Sequence, residues 1–480
     1  MDRSPFPDKV TRYAATEHDL ATYNSAARAL STMRVPRMVS SGQPDDRLFF
    51  AYFDGTGNDA GQLNRIKTNI ALLHEATRRE SRRNPSIASD YVPGPGTQSN
   101  SAVAFGDGIK GHTYDERLDT MYVAFCKQAK QWLIENPNAR ISVAEVGFSR
   151  GAEQAAGFAR LVAERGIRDP DQMDVRRNGA GLVTSLDWEM SPVLRPGSEV
   201  AQAQLLFDPV GTGTPMHRDR RPPPEVITAF QITAEDETRD QFRGSQIWDF
   251  GVTHGGRALN VAVGGSHSGV GGGYIEDGLA RRSYNLAADY LNALTDRPFI
   301  IKRHLRPDLD VVQRSVEHQA VYDEDLFQAN VKAGKPDGQR RAHIDVIGGD
   351  MKARHAAARD AEPVDRALDA RFERHPVRIG PVPETPEAVR DRVPARQRRD
   401  LQPDAPRGGM FDRMLDGITQ SEIQGDRALA RSAFADYAAS PAGQALALQV
   451  AGFDARQREH VAQLIAAEMA QAPRSHAMRV

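Results

Sequence analysis

The chain has 480 residues, 40% hydrophobic and 26% charged, with a formal net charge of -2. That length suggests two or three units and allows a sizeable core. The near-neutral balance removes any global electrostatic case for nucleic acid or an anionic membrane surface. No stretch approaches about 18 consecutive apolar residues, so no spanning helix is expected. The single cysteine, Cys126, excludes an intramolecular disulfide. It lies in an apolar-periodic run and reads as packing material, in a chain folded in a reducing cytoplasm.

The first 46 residues read as a lead-in. Their polar start lacks the apolar segment of a Sec-type signal peptide, and Asp19–Leu30 has some helical periodicity. Leu48–Phe53 (LFFAYF) looks like a buried strand, followed by the tight turn DGTGN. Gln62–Arg79 predicts a helix with Ile66, Ile70, Leu73 and Ala76 on one face. Tyr91–Thr97 is a strand end running into turns, and Tyr114–Glu135 is a long helix closed by Asn136 and Pro137. Arg140–Val146 is a further strand, and a helix runs from Ser149 to about Arg165.

Such alternation predicts an α/β fold, a mostly parallel sheet with helices on both faces. Asp169–Pro196 is largely polar and reads as an excursion above the sheet. Strands follow at Gln204–Phe207, Val226–Ile232 and Ala258–Val263, then a helix at Gly278–Leu294, and the core is expected to end near residue 330. Residues 331–409 are rich in Arg, Asp, Pro and Ala and read as a linker. Residues 410–480 recover helical periodicity at Met410–Ile418, Arg427–Tyr437, Pro441–Val450 and Asp454–Met469, which predicts a small helical module.

The strongest local signal is Gly147-Phe148-Ser149-Arg150-Gly151, a G-x-S-x-G match that ends a strand and opens a helix. A nucleophile elbow needs that context: the turn is too tight for flanking side chains, and it lifts the serine oxygen above the sheet edge. The bland alternative is a glycine-flanked helix-capping serine. A serine needs a base, and the chain order in this fold is nucleophile, acid, histidine. Asp208 ends the strand in LLFDPVGTG, and His267 lies among glycines in VAVGGSHSGVGGGY, just past another strand. Both placements bring the side chain to the carboxyl edge of the sheet. The residues 47–330 are therefore read as an α/β-hydrolase-like catalytic domain, with Ser149, Asp208 and His267 as its triad. His254, which falls before its strand, is the competing histidine; Asp187, Asp236 and Glu237 are the competing carboxylates.

The Arg150 backbone amide is one expected oxyanion donor, at the helix N-terminus. The second is expected from Gly55 or Thr56 in DGTGND, where an Asx turn on Asp54 is an equal alternative. GGSHSGVGGG lacks the G-x-G-x-x-G form and the acidic partner of a dinucleotide loop, so no cofactor is expected. The histidines and the lone cysteine show no metal-ligand spacing, so no metal is expected either.

FFAYFDGTGND, YVPGPGT, AFGDGI, VGFSRGAEQAA, LFDPVGTG and GGSHSGVGGGY occur in that order across roughly residues 47–300. This series resembles the type VI secretion lipase-effector family of α/β-hydrolases, bacterial phospholipases delivered into rival cells. The resemblance implies the same three residues: the serine, an aspartate at a strand end and a histidine before a glycine-rich run. Pro209 stands where the family usually has threonine, and Gly269 where an aspartate is common. The resemblance implies a phospholipid substrate, export from the bacterial cytoplasm without a signal peptide, and a secretion-apparatus adaptor or immunity protein as partner. The other readings are an esterase or thioesterase on soluble substrates and a catalytically idle binding or delivery protein.

Overall fold

The computed structural model describes residues 10–315, 343–344 and 362–383, apart from 61–65, 96–112, 180, 212–213, 238–241, 243, 254 and 275. AFGDGI, His254, most of the expected linker and the whole expected helical module lie outside the described residues.

A seven-stranded sheet organises the chain. Its strands, in chain order, are β1 (Asp46–Phe53), β2 (Ile87–Val92), β3 (Arg140–Phe148), β4 (Ala201–Phe207), β5 (Val226–Ala234), β6 (Gly251–Val252) and β7 (Ala258–Val263). They lie side by side as β6-β7-β5-β4-β3-β1-β2. All pairs are parallel except β6 with β7. The helices include α1 (Glu17–Thr32), α2 (Asn69–Ser81), α3 (Tyr114–Glu135), α4 (Arg150–Arg165), α5 (His267–Gly271) and α6 (Gly278–Ala293).

β1 shows why both faces are covered. Leu48, Phe50 and Tyr52 enter one core cluster with α1, α2 and α6, while Phe49, Ala51 and Phe53 enter the other with α3 and α4. The period of two sends successive side chains to opposite faces. Both faces are therefore apolar, and the strand reads as a continuous hydrophobic run. The expected α/β-hydrolase-like arrangement is what the chain forms.

Three elements differ from the sequence reading. The helix expected from Gln62 begins at Asn69, because Thr68 caps it by accepting the Ala71 amide at 3.2 Å; Ile66 lies before it, 44% exposed. Second, 169–196, read as an excursion above the sheet, is a hairpin on the flank of α3. It follows the C-terminal end of α4, the end opposite Ser149, and forms a hairpin of Asp174–Arg177 and Val183–Asp187. The Val183 amide donates to the Thr120 hydroxyl on α3, and Arg195 donates to the Pro137 carbonyl just before β3. Asp169 and Asp171 pair with Lys130 of α3, and Arg165 of α4 and Arg168 each lie about 5 Å from the Trp188 ring.

Third, segments outside 47–330 are built into the body. In α1, Tyr23 donates to the Gly264 carbonyl and Thr22 accepts the Gly264 amide, just before the His267 loop. Within the stretch read as linker, Arg374–Pro376 pairs antiparallel with Arg34–Pro36, and Leu368 and Val377 are buried in the first cluster.

Buried amides on the sheet also hold a connection near the site. Trp248 donates its ring N–H to Gln204 and its backbone N–H to Gln231, and its carbonyl accepts from Asn260. This anchors one end of the segment between β5 and β6, which also carries Phe242.

Candidate active site

The site stands at the carboxyl ends of β3, β4, β5 and β7. Among the described residues, two non-glycines have positive φ: Ser149 at 60° and Asp208 at 40°. Each immediately follows a strand, β3 and β4. Such backbone costs of order 1–3 kcal/mol and persists where the surroundings impose it. Here the Ser149 amide donates to the Phe207 carbonyl, the Ser149 carbonyl accepts the Val210 amide, and the Asp208 amide donates to Ile232. The two glycines of the motif answer a close approach. A Cβ on Gly147 would sit 2.3 Å from the Gly151 carbonyl oxygen, and one on Gly151 would sit 2.2 Å from that of Phe53. Ser149 occupies the N-cap of α4, but its side chain makes no capping hydrogen bond. The hydroxyl is thus not spent on the helix, as the capping alternative requires.

His267 and Asp208 meet. The imidazole Nδ1 is 2.5 Å from Asp208 Oδ2, and both side chains are buried. Asp208 Oδ1 accepts the Ala234 amide at 2.9 Å, which fixes the carboxylate plane from the end of β5. The imidazole packs on Phe148, the residue before Ser149, with ring centroids 4.5 Å apart, and edge-on to Phe242 at 4.9 Å. His267 is therefore on the elbow's side of the molecule. It does not hang in an open loop: it is the first residue of α5, behind the N-cap Ser266. Asn69 ties that helix down by donating to the Val270 and Ala280 carbonyls.

The competing carboxylates have other places. Asp187 is exposed on the α3-side hairpin. Asp236 accepts the Gly265 amide at 2.6 Å, and Glu237 faces the His267 amide at 3.4 Å. Both engage the main chain of the histidine turn, where sequence order alone could not distinguish them from an acid that orients the ring.

The DGTGND loop lies against the elbow. Gly55 touches Phe148, since a Cβ there would meet the ring at 2.7 Å. The Arg150 guanidinium donates to the Thr56 hydroxyl at 2.7 Å. The two amides weighed as oxyanion donors differ. That of Gly55 donates to the Asp54 carboxylate at 2.7 Å, the Asx interaction, whereas among the described residues that of Thr56 has no acceptor. Asp54 also receives the hydroxyls of Thr68 and Tyr91, and burial pushes its carboxyl up to about 6 despite these donors. Thr68 and Tyr91 escape sequence reading: one is a helix cap and the other a strand residue, with no motif linking them to residue 54.

Beneath Ser149, in the first turns of α4, Glu153 pairs with Arg220 at 2.9 Å, both side chains fully buried. Burial raises the Glu153 carboxyl, and Arg220 opposes that rise. Among the described residues no group of three His, Cys, Asp or Glu is placed to hold a metal ion, and no helix is long and apolar enough to cross a membrane.

Residues 47–183 match the model of the family described as "T6SS, Phospholipase effector Tle1-like, catalytic domain". The family recognised from the motifs is thus the one found by comparison. The matched span holds the DGTGND loop and the elbow; Asp208 and His267 lie beyond it. No curated protein matches the chain. Among solved structures it is similar to the Tle1 effector bound to the VgrG spike of the type 6 secretion system, at 19% identity and TM-score 0.33. That alignment covers 50% of this chain and 52% of the other, so the chain spans about half of that effector's length. An uncharacterized protein from Pseudomonas aeruginosa aligns at 16% identity over 86% of this chain and 66% of its own, TM-score 0.36. Esterase 2 of Thermogutta terrifontis aligns at 16% identity over 54% and 88%, TM-score 0.25.

Proposed function

We propose that this chain is a serine hydrolase that cleaves carboxylic esters of phospholipids. Ser149 is the nucleophile, His267 the general base and Asp208 the acid that orients the imidazole. The match of residues 47–183 supports an ester hydrolase of the lipase and esterase kind. The observation that carries the serine mechanism is the 2.5 Å contact of His267 Nδ1 with Asp208, on an imidazole packed against the residue preceding Ser149. An acceptor on Nδ1 keeps the proton there and leaves Nε2 to accept one.

His267 then takes the Ser149 proton as the hydroxyl oxygen attacks the acyl carbonyl. The tetrahedral oxyanion is held by the Arg150 amide at the N-terminus of α4 and by an amide of Gly55 or Thr56. The histidine returns its proton to the leaving alcohol, and water activated by the same imidazole releases the acyl group. The proposal further makes the chain an antibacterial effector exported by type VI secretion, with an adaptor of that apparatus and an immunity protein as partners, as the motif resemblance implies.

A second reading, an esterase of soluble esters, draws on one observation: the described residues of 169–196 pack along α3 and α4. Fluorophosphonate labelling of the wild type and Ser149→Ala, followed by lipid profiling, tests both. The proposal expects a label on the wild type alone and release of fatty acid from phospholipid. Equal labelling or equal activity of Ser149→Ala excludes the serine mechanism. Turnover confined to short soluble esters moves the assignment to the second reading.

A further inference from the structure

Asp54 is a costly residue for its place. It directly follows β1, is 1% exposed, and among the described residues no cationic side chain is one of its hydrogen-bond partners. Its carboxylate instead collects neutral donors from three separate parts of the chain. These are the Gly55 amide at 2.7 Å, the Thr68 hydroxyl at 2.8 and 2.9 Å from the two oxygens, and the Tyr91 hydroxyl at 2.7 Å. Burying an ionisable group without a counter-charge is expensive. Merely closing a turn would not need three converging donors.

The bonds around it dictate how the loop's peptides face. Asn58 holds the Gly55 and Thr56 carbonyls through its side chain, and its own amide donates to Gly55. The Gly57 amide donates to Pro95, and the Gly94 amide to Asn58. Gly94 is packed so tightly that a Cβ would fall 1.7 Å from the Gly55 carbonyl oxygen. The Gly55 peptide is thereby committed to Asp54. The Thr56 amide, free of internal partners among the described residues, is held beside the first turn of α4 by the Arg150–Thr56 side-chain bond.

We infer that Asp54 is a positioning residue for ester hydrolysis: by engaging the Gly55 amide it excludes that group from the oxyanion hole and presents the Thr56 amide as the partner of the Arg150 amide. Thr68 and Tyr91 hold the carboxylate in the required rotamer. The inference rests on the serine-hydrolase reading.

The test compares the full-length wild type, Asp54→Asn and Tyr91→Phe on p-nitrophenyl butyrate, and measures the affinity of each for butylboronic acid, whose serine adduct mimics the tetrahedral intermediate. Losing an oxyanion donor costs roughly 10²–10³ in kcat, and misaiming one costs less. Asp54→Asn should lower kcat roughly 10–100-fold and weaken boronate affinity by a similar factor, while KM stays within about twofold. Tyr91→Phe should do the same to a smaller extent. Unchanged kcat in a folded Asp54→Asn overturns the inference, as does a parallel loss in KM, boronate affinity and melting temperature. If Asp54→Asn does not fold, Tyr91→Phe decides, and a wild-type kcat there sinks the idea. A wild type that neither hydrolyses esters nor takes a fluorophosphonate label removes the serine-hydrolase reading itself. An active, labelled wild type with unaffected variants removes only the role of Asp54.

Discussion

Replacing Asp208 by asparagine changes one atom, and the surrounding hydrogen bonds dictate the consequence. Oδ1 of Asp208 accepts the Ala234 amide at 2.9 Å, while Oδ2 faces His267 Nδ1 at 2.5 Å. In Asp208→Asn the amide oxygen must keep the Ala234 N–H, because turning the NH2 toward it sets donor against donor in a fully buried place. The NH2 therefore faces Nδ1 and donates to it, and the ring proton moves to Nε2. That tautomer cannot accept the Ser149 proton. In the serine protease precedent, asparagine at the orienting acid costs about 10⁴ in kcat, equivalent to about 5 kcal/mol at about 1.4 kcal/mol per tenfold. The expected result is a kcat on p-nitrophenyl butyrate lowered by about three to four orders of magnitude, with a folded protein and little change in KM. A loss below about tenfold would refute the role of Asp208 in setting the tautomer.

Three other perturbations target specific contacts. Arg220→Met strands the carboxylate of Glu153 in the core and should cost about 3–5 kcal/mol in urea unfolding followed by tryptophan fluorescence, with most of it regained in Glu153→Gln/Arg220→Met; a single variant within about 1 kcal/mol of wild type contradicts this. Gly271→Ala drives a Cβ to 2.0 Å from the Phe148 ring on which His267 packs, and should lower kcat/KM by roughly 10–100-fold, whereas Gly179→Ala, with nothing within 4 Å, should be neutral. Equal activity of the two would dissociate Phe148 packing from the base. Asp54 is raised from 3.8 to about 6 in the folded protein, so its protonated form is favoured by folding. Its stabilisation is complete below the unfolded value near 3.8 and is lost as pH rises through about 6, by about 3 kcal/mol in total. Unfolding free energies at several pH values should show wild type losing stability relative to Asp54→Asn between pH 4 and about 6.5, and a pH-independent difference would contradict that assignment.

Much of the sheet was legible because its signals are local. β7 at Ala258–Val263 and α3 at Tyr114–Glu135 run over the residues that periodicity predicts, and the two glycines around Ser149 mark the turn that only glycine can make. The start of α2 was not legible. Gln62–Arg79 has a helical apolar pattern, but Thr68 is claimed by both the Ala71 amide and Asp54, and that second bond crosses from another part of the chain. The place of 169–196 was equally hidden, since polar composition says that a segment is exposed without saying which face of the molecule it covers.

Residue order and spacing alone placed Ser149, Asp208 and His267 at strand ends, because in a parallel sheet every such end lies on one edge. Which groups then touch was decided in three dimensions. The choice of Asp208 over Glu237 for the imidazole, the commitment of the Gly55 amide to Asp54, and the burial of Leu368 with α1 against the first core cluster depend on groups up to hundreds of residues apart. No local pattern encodes such contacts; crossover geometry and the need to satisfy every buried polar atom select among them.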